Sequence, residues 1–424
     1  MKAREIKDKI LGGALREYSA LYTDLDFQAN RIIAAIDTFT QMYGEDREIS
    51  VFSVPGRSEI SGNHTDHNNG CVLAGSIDRD VIAVASPRED GIIRLYSDGY
   101  SEEQISLSDV DEPKNFKSFT SASLIAGVCR GFKNEGYAVG GYDAYLTSAV
   151  PEGSGISSSA AYEVMLGNLL NHLYNGGAID NQQLAVIAKY AENVYFGKPC
   201  GLMDQMACAV GGFVYIDFEN GDSPRVEPIK FSLTDAGYSL CIVNAGASHA
   251  DLNDDYAAVP GEMRAVAKLL GREVLRGLTE EDIIKNLTNI RRCVGDRAVL
   301  RSIHFIRENE RVEKIREALL SGDVAGFLGG VNKSGRSSFE YLQNVYSPKN
   351  PGEQSVALAL AITDGYLEGK AAAFRVHGGG FAGTIQVFLP VADTDGYVDY
   401  MNSVFGDGAA EAFRIRPLGA TKLF

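Results

Sequence analysis

No tryptophan occurs anywhere in the chain, and cysteine and histidine appear only six times each. The cysteines (Cys71, Cys129, Cys200, Cys208, Cys241 and Cys293) never form a CxxC pair. That spacing argues against structural zinc, and a large chain of cytosolic character needs no disulfide framework. The thiols read mostly as small buried hydrophobes. No apolar run reaches the roughly 18 residues of a membrane-spanning helix. The opening stretch, MKAREIKDKILGGALREYSALY, mixes charges at helical spacing and lacks the apolar centre of a signal peptide. The expected location is the cytoplasm. Positive charge is scarce as well: 40 Lys and Arg against 56 Asp and Glu leave a net charge of −16. Such a field disfavours nucleic acid and anionic membrane as partners, although a local site with a bound cation can still take a small anion. No obligate protein partner is evident.

What is present is ordinary for a globular chain: 45% hydrophobic and 23% charged residues over 424 positions, a length of two or three domains. There is no internal repeat and no low-complexity linker. Helical spacing covers 3–21 and 25–43, and ISVFSV (49–54) reads as a strand. Further strands are expected over 71–87, 91–97, 142–150, 211–218 and 238–245, and helices over 117–134 and 181–196. Residues 254–336 are mostly helical in pattern, and the tail returns to mixed strand and helix. The fold class expected is α+β, with a domain change near 218 that divides the chain into 1–218 and 219–424.

Four stretches concentrate chemistry. GRSEISGNHTDHNNG (56–70) packs Arg57, Glu59, His64, Asp66, His67 and three asparagines around one large aliphatic residue. It reads as a surface turn, a metal site or a pocket for hydroxyl groups. The metal reading needs a fuller H-x-H-x-D-H, and Gly62 stands where the first His would be. PEGSGISSSA (151–160) is a glycine turn running into a helix, where free N–H groups and three hydroxyls suit an anion. A Ser-rich helix cap is the blander reading, and the Walker pattern is missing. HGGGFAG (377–383) contains G-x-G-x-x-G, but the following TIQVFLP looks like a strand, so the dinucleotide reading fails its context and a glycine-lined hairpin is expected. ENVYFGKPCGLMDQMA (192–207) separates Glu192 from Asp204 by a Pro/Gly-broken loop, which suits either a metal ligand and a base or two surface acids.

Together and in this order, these stretches resemble the GHMP small-molecule kinase superfamily and, within it, the galactokinase group. Gly56, Arg57, Gly62, His64, Thr65, Asp66 and Asn68 match the sugar signature G-R-x-N-[LI]-I-G-E-H-T-D-Y-N. The loop at 153–160 matches G-x-G-L-S-S-S-A with Ile156 in place of Leu. PCGLMDQ (199–205), HADLNDDY (249–256) and GGGFAG match further segments. The resemblance implies a two-domain α+β kinase with its active site between the domains. It implies that Gly153, Ser154, Gly155, Ile156, Ser157, Ser158 and Ser159 hold ATP phosphates, that Ser159 and Glu192 bind Mg²⁺, and that Asp204 takes a proton from the anomeric hydroxyl with support from Arg57. Asn63, His64, Thr65, Asp66 and Tyr256 would contact the sugar, so the polar density of 56–70 becomes a hydroxyl-reading pocket.

Departures bear on the substrate. Asn63 stands where galactokinases carry Glu, Glu59 where they carry Asn, and His67 where they carry Tyr. The Glu bonds the C6 hydroxyl in that group. Asn63 would hold the same hydroxyl more weakly, or, by removing a charge, admit a sugar with a carboxylate at C6, as in the galacturonate kinases that also lack the Glu. Where many members set an aromatic pair against the nucleobase, TSASLIAGV (120–128) offers Ser121 and Leu124. A sugar-sensing protein on the same fold is the alternative from another class. The presence of Arg57, Glu192, Asp204 and an uninterrupted loop argues for the enzyme, and the H-T-D sequence argues against a mevalonate- or homoserine-type kinase.

Overall fold

The structure, a computed structural model, describes all residues except 152–154, 222, 247–251 and 382. The N-terminal helix expected over 3–21 is interrupted: α1 (Ala3–Leu11) stops at Gly12 and Gly13, the latter left-handed at φ 91°, and a 3-10 turn follows at Ala14–Tyr18. Helix α2 (Leu25–Tyr43) starts where the Asp24 side chain accepts from the Phe27 N–H, and it buries Ile32, Ala35, Ile36 and Phe39 at helical spacing.

Strand β1 (Ser50–Ser61) runs beyond the six residues expected and carries the chain straight into the polar motif. It pairs antiparallel with β2 (Cys71–Arg88), with register breaks at Pro55/Arg57 and Glu59/Ser61. Then follow β3 (Ile92–Ser97), β4 (Glu103–Ser106), helix α3 (Ser121–Asn134) and β5 (Gly141–Ser148). Helix α4 (Ser158–Tyr174) is apolar on nearly every side and is buried accordingly. Helix α5 (Asn181–Tyr190) continues as a π-helical stretch over Ala191–Phe196 and is succeeded by α6 (Met203–Val210). Strands β6 (Phe213–Asp217), β7 (Arg225–Ile229) and β8 (Tyr238–Asn244) lead to a helical block: α7 (Asn253–Leu269), α8 (Glu280–Lys285), α9 (Leu287–Val294), α10 (Asp296–Ser321) and α11 (Val324–Ser337). The tail adds α12 (Ser355–Tyr366), β9 (Ala373–Val376), β10 (Thr384–Pro390), α13 (Val391–Phe405), β11 (Ala410–Phe413) and β12 (Thr421–Lys422).

Among the described residues the strands form two sheets. The eight-stranded sheet runs β12-β1-β2-β5-β3-β4, with β6 joining β2 and β7 joining β6; the four-stranded sheet is β11-β8-β10-β9. The sheets do not divide at residue 218, because β7 and the C-terminal β12 both complete the larger one. Edge-to-face rings link the two sheets: Phe213 to Phe327 at 6.1 Å between centroids and Phe327 to Phe388 at 5.1 Å. Four cysteines are buried in this framework, Cys200 is partly covered and Cys293 is exposed. Among the described residues no helix is long and apolar enough to cross a membrane.

A buried ionic cluster ties both ends of the chain to the sheet. Asp80 on β2 accepts from the Tyr22 hydroxyl at 2.8 Å and from Arg416 Nη1 at 3.1 Å, and it also meets Arg31 and Ser53. The side chains of Asp80 and Arg416 are both fully buried. Removing one partner of such a pair strands the other charge away from water. Asp80→Ala should therefore cost about 3–5 kcal/mol, read as a loss of unfolding free energy in urea; a loss below about 1 kcal/mol would put it with exposed pairs.

Candidate active site

Arg57 is the point where three segments meet. Its Nε and Nη2 donate to the two oxygens of Asp204 at 2.9 and 2.7 Å, and its Nη1 donates to the carbonyl of Gly155. Asp204 lies in the first turn of α6, where the helix dipole favours an anion. The Ser157 hydroxyl donates to the same carboxylate. Burial pushes the Asp204 pKa up, but the Arg57 charge, its hydrogen bonds and the Ser157 hydroxyl outweigh it and hold the carboxyl below the ordinary range. The Arg57 side chain is 8% exposed and that of Asp204 34%, so the carboxylate rather than the guanidinium is open to a ligand.

Gly155 turns with φ +74°, and Ser157 sits left-handed at the N-terminus of α4, with Ser158 and Ser159 opening the helix. Gly153 and Ser154 lie outside the described residues. Ser158 and Ser159 line a cavity of about 400 Å³ together with Ser121, Leu124, Tyr162 and Phe196. An aromatic wall missed in the sequence comes from Phe196, which follows Glu192 in the chain and packs edge-on against Phe119 at 5.2 Å.

A smaller cavity of about 160 Å³ is lined by Arg57, Glu59, Asn63, His64, Asp66 and His67, with Gly378 and Gly379 closing it. The loop that makes it is tightly specified. Gly62 has φ +97°, and a Cβ there would lie 2.6 Å from the carbonyl of Cys71. His64 lines the cavity and shares a 2.9 Å hydrogen bond through Nε2 with the Gly379 carbonyl; burial lowers its pKa to about 4, so it is neutral and donates. Asp66 Oδ1 accepts from the His67 N–H at 2.9 Å, and His67 Nε2 is 3.5 Å from the same oxygen.

Three residues expected at the sugar also make hydrogen bonds within the protein. Thr65 is not among the lining residues: its hydroxyl lies 2.8 Å from the Gly62 carbonyl and 2.6 Å from that of Cys71, which closes the turn. Tyr256 donates to the Gly380 carbonyl at 2.9 Å and packs under the β9–β10 hairpin, the turn expected from HGGGFAG. Asn63 is fully buried, and its amide is committed to Glu59, Gly378 and Asn344. His64, Asp66 and His67 do not converge as metal ligands. The described residues that do, Cys71, Asp217 and Glu313, are engaged by Tyr215 and Arg276.

Glu192 lies in the first turn of the π-helical stretch and is buried. Its two oxygens accept from Lys198 Nζ at 2.8 Å and from Gln205 Nε2 at 2.7 Å, and Gln205 also donates to Glu163 at 3.0 Å. Burial and the Glu192 charge push Glu163 well above the usual carboxylate range. Among the described residues the remaining oxygens of Glu163 and Gln205 are buried without a hydrogen-bond partner. An oxygen-rich recess of this kind, with Ser159 opening α4 four residues before Glu163, has the donor set of a hard cation.

The GHMP kinases N terminal domain profile matches residues 123–212, and the galactokinase galactose-binding signature matches 37–87. The galactokinase of Streptomyces coelicolor is 31% identical over 385 residues, covering 89% of this chain and 94% of that protein. A galactokinase of Actinobacillus pleuropneumoniae is 31% identical over 388 residues, covering 88% and 92%. The structure of Lactococcus lactis galactokinase complexed with galactose matches with a TM-score of 0.77 at 23% identity, over 92% of this chain and all of that one. Methanococcus jannaschii mevalonate kinase matches with a TM-score of 0.60 at 14% identity, over 87% and 98%. The fold is that of a GHMP kinase, and the class is a phosphotransferase acting on a sugar hydroxyl. Within that class, the chain belongs to the galactokinase family.

The polar loop is anchored from behind by Glu308 on α10. This buried carboxylate accepts from the Ser61 hydroxyl at 2.9 Å and the Gly62 N–H at 3.0 Å, and it pairs with Arg311. Burial alone would raise its pKa, but Arg311, His304 and Arg375 outweigh that and bring it from 4.5 down to about 2. Stability from a depressed carboxyl is present above the unfolded value and is lost as pH falls toward the folded one. The unaltered chain should therefore exceed Glu308→Gln by about 3 kcal/mol near pH 7, and the gap should shrink as pH falls from 4.5 toward 2. Thermal unfolding of both proteins across that range checks this; a gap independent of pH would refute it.

Proposed function

We propose that the enzyme transfers the γ-phosphoryl group of ATP to the anomeric hydroxyl of galactose, giving galactose 1-phosphate and ADP. The observation that carries this reading is the Arg57–Asp204 pair, set beside a small hydroxyl-reading cavity and bonded to the serine loop at the start of α4. The 400 Å³ cavity lined by Ser158 and Ser159 suits the nucleotide, with phosphates on the α4 N-terminus and Ser157–Ser159.

In this mechanism Arg57 keeps Asp204 ionised and orients it toward the hydroxyl. A carboxylate with a depressed pKa is too weak a base to ionise the sugar in advance. It receives the proton as the new P–O bond forms, which suits a loose phosphoryl-transfer transition state. Lys198 adds positive charge beside Glu192 and Asp204. Ser159 and Glu192 would hold Mg²⁺, whose chemistry there is to neutralise charge on the transferring phosphoryl group. The presence of the base, its arginine and the acidic recess supports an enzyme over a sensing protein.

Asp204→Asn keeps the shape but cannot take the proton. It should lower kcat by about 10²–10⁴-fold while calorimetry still finds galactose bound; undiminished turnover would remove Asp204 from the mechanism. Glu192→Gln offers the recess a poorer ligand for a hard dication. The Mg²⁺ concentration giving half-maximal rate should rise in a metal titration, and an unchanged titration would move the metal elsewhere.

A further inference from the structure

Two polar side chains on the signature segment compete for the role of sugar reader, and they differ in what they have left to offer. Asn63 has nothing left. Its Nδ2 donates to Glu59 Oε1 at 2.8 Å and to the Gly378 carbonyl at 2.6 Å, and its Oδ1 accepts from Asn344 Nδ2 at 2.6 Å and from the Ser338 hydroxyl at 3.4 Å. Both amide hydrogens and both lone-pair directions are filled by protein. A sugar hydroxyl would have to displace one of these bonds.

Glu59 stands on the same face of β1 as Arg57, two residues away, and lines the same cavity. One of its oxygens takes the Asn63 hydrogen bond and lies 3.7 Å from Arg375 Nη2. Among the described residues nothing hydrogen-bonds the other oxygen. It is not fully sealed from the cavity either, since the side chain is 7% exposed. A carboxylate oxygen held against a polar cavity without a partner is an acceptor awaiting a donor.

The charge of the cavity points the same way. Its carboxylates are Glu59 and Asp66. Arg57 lines it, but that charge is already paired with both oxygens of Asp204, and His67 faces Asp66. A ligand carboxylate would meet like charge with no unspent arginine or lysine among the lining residues.

We infer that Glu59, and not residue 63, supplies the carboxylate that accepts a hydrogen bond from the hexose, and that it makes the pocket select a neutral sugar over a uronic acid. The Asn63 substitution therefore does not empty the site of negative charge; the carboxylate stands four residues earlier in the chain. This inference rests on the sugar-kinase reading above.

The test is Glu59→Gln, which keeps an oxygen for the Asn63 amide and removes only the charge. Galactose and galacturonate are titrated calorimetrically without nucleotide, and kcat and KM are measured with ATP. Galactose should bind about ten- to a hundredfold more weakly to the variant, with the loss in KM more than in kcat, and galacturonate should bind more tightly than it does to the unaltered enzyme. The unaltered enzyme needs no folding control and should bind galacturonate at least tenfold more weakly than galactose; equal or tighter galacturonate binding overturns the inference. A galactose kinase indifferent to Glu59→Gln overturns it as well and leaves the proposed function standing. An enzyme that neither binds nor phosphorylates any hexose overturns both.

Discussion

The two-pronged contact between Arg57 and Asp204 fixes the geometry on which the rest of the site depends. A guanidinium is planar and always charged, so two parallel bonds to one carboxylate set angle as well as distance. Here the arginine comes from β1 and the acid from the first turn of α6, and a third arm reaches the Gly155 carbonyl. Strand, helix and serine loop are locked together at one point. Burial opposes the charge on Asp204, and the arginine, the Ser157 hydroxyl and Lys198 together reverse the sign. The acid is thus kept ionised by a partner that uses up its own charge in doing so.

A second constraint lies behind the smaller cavity. The 61–64 loop is held mainly by residues far away in the sequence: Glu308 and His304 on α10, Asn344 beyond α11, and the Gly378–Gly379 carbonyls. His304 Nε2 meets the Asn63 carbonyl at 3.0 Å while its Nδ1 meets the Ser337 hydroxyl at 2.9 Å, so one buried imidazole spans the loop and the end of α11. The cavity is therefore a joint product of the N-terminal strand and the helical block, and distant partners take up most of the loop's polar groups.

Much of this was legible in the sequence because it is local. The strand entering the motif, the helix that follows the serines and the hairpin reading of HGGGFAG rest on short spacings, whereas the roles proposed for Arg57 and Asp204 rest on the resemblance. Other features were not legible because they depend on distant partners. Pro199 and Gly201 make the approach to Asp204 look like loop, and they hide the short helix α6 that aims it. Gly13 looks like one tolerable glycine until its left-handed φ ends α1. Position 63 is the sharpest case. Read alone, an Asn in place of Glu suggests a lost charge, whereas the fold ties that Asn to Glu59 and leaves the carboxylate at the cavity.

The most direct measurement is the acid limb of the kcat/KM profile for galactose in the unaltered enzyme and in Arg57→Met, which keeps bulk but removes the charge. That limb reports the ionisation of the free enzyme's essential acid or base. If Arg57 is what holds Asp204 ionised, burial takes over in the variant and the limb moves to higher pH. A limb at the same pH in both enzymes would contradict the pairing as the source of the active carboxylate.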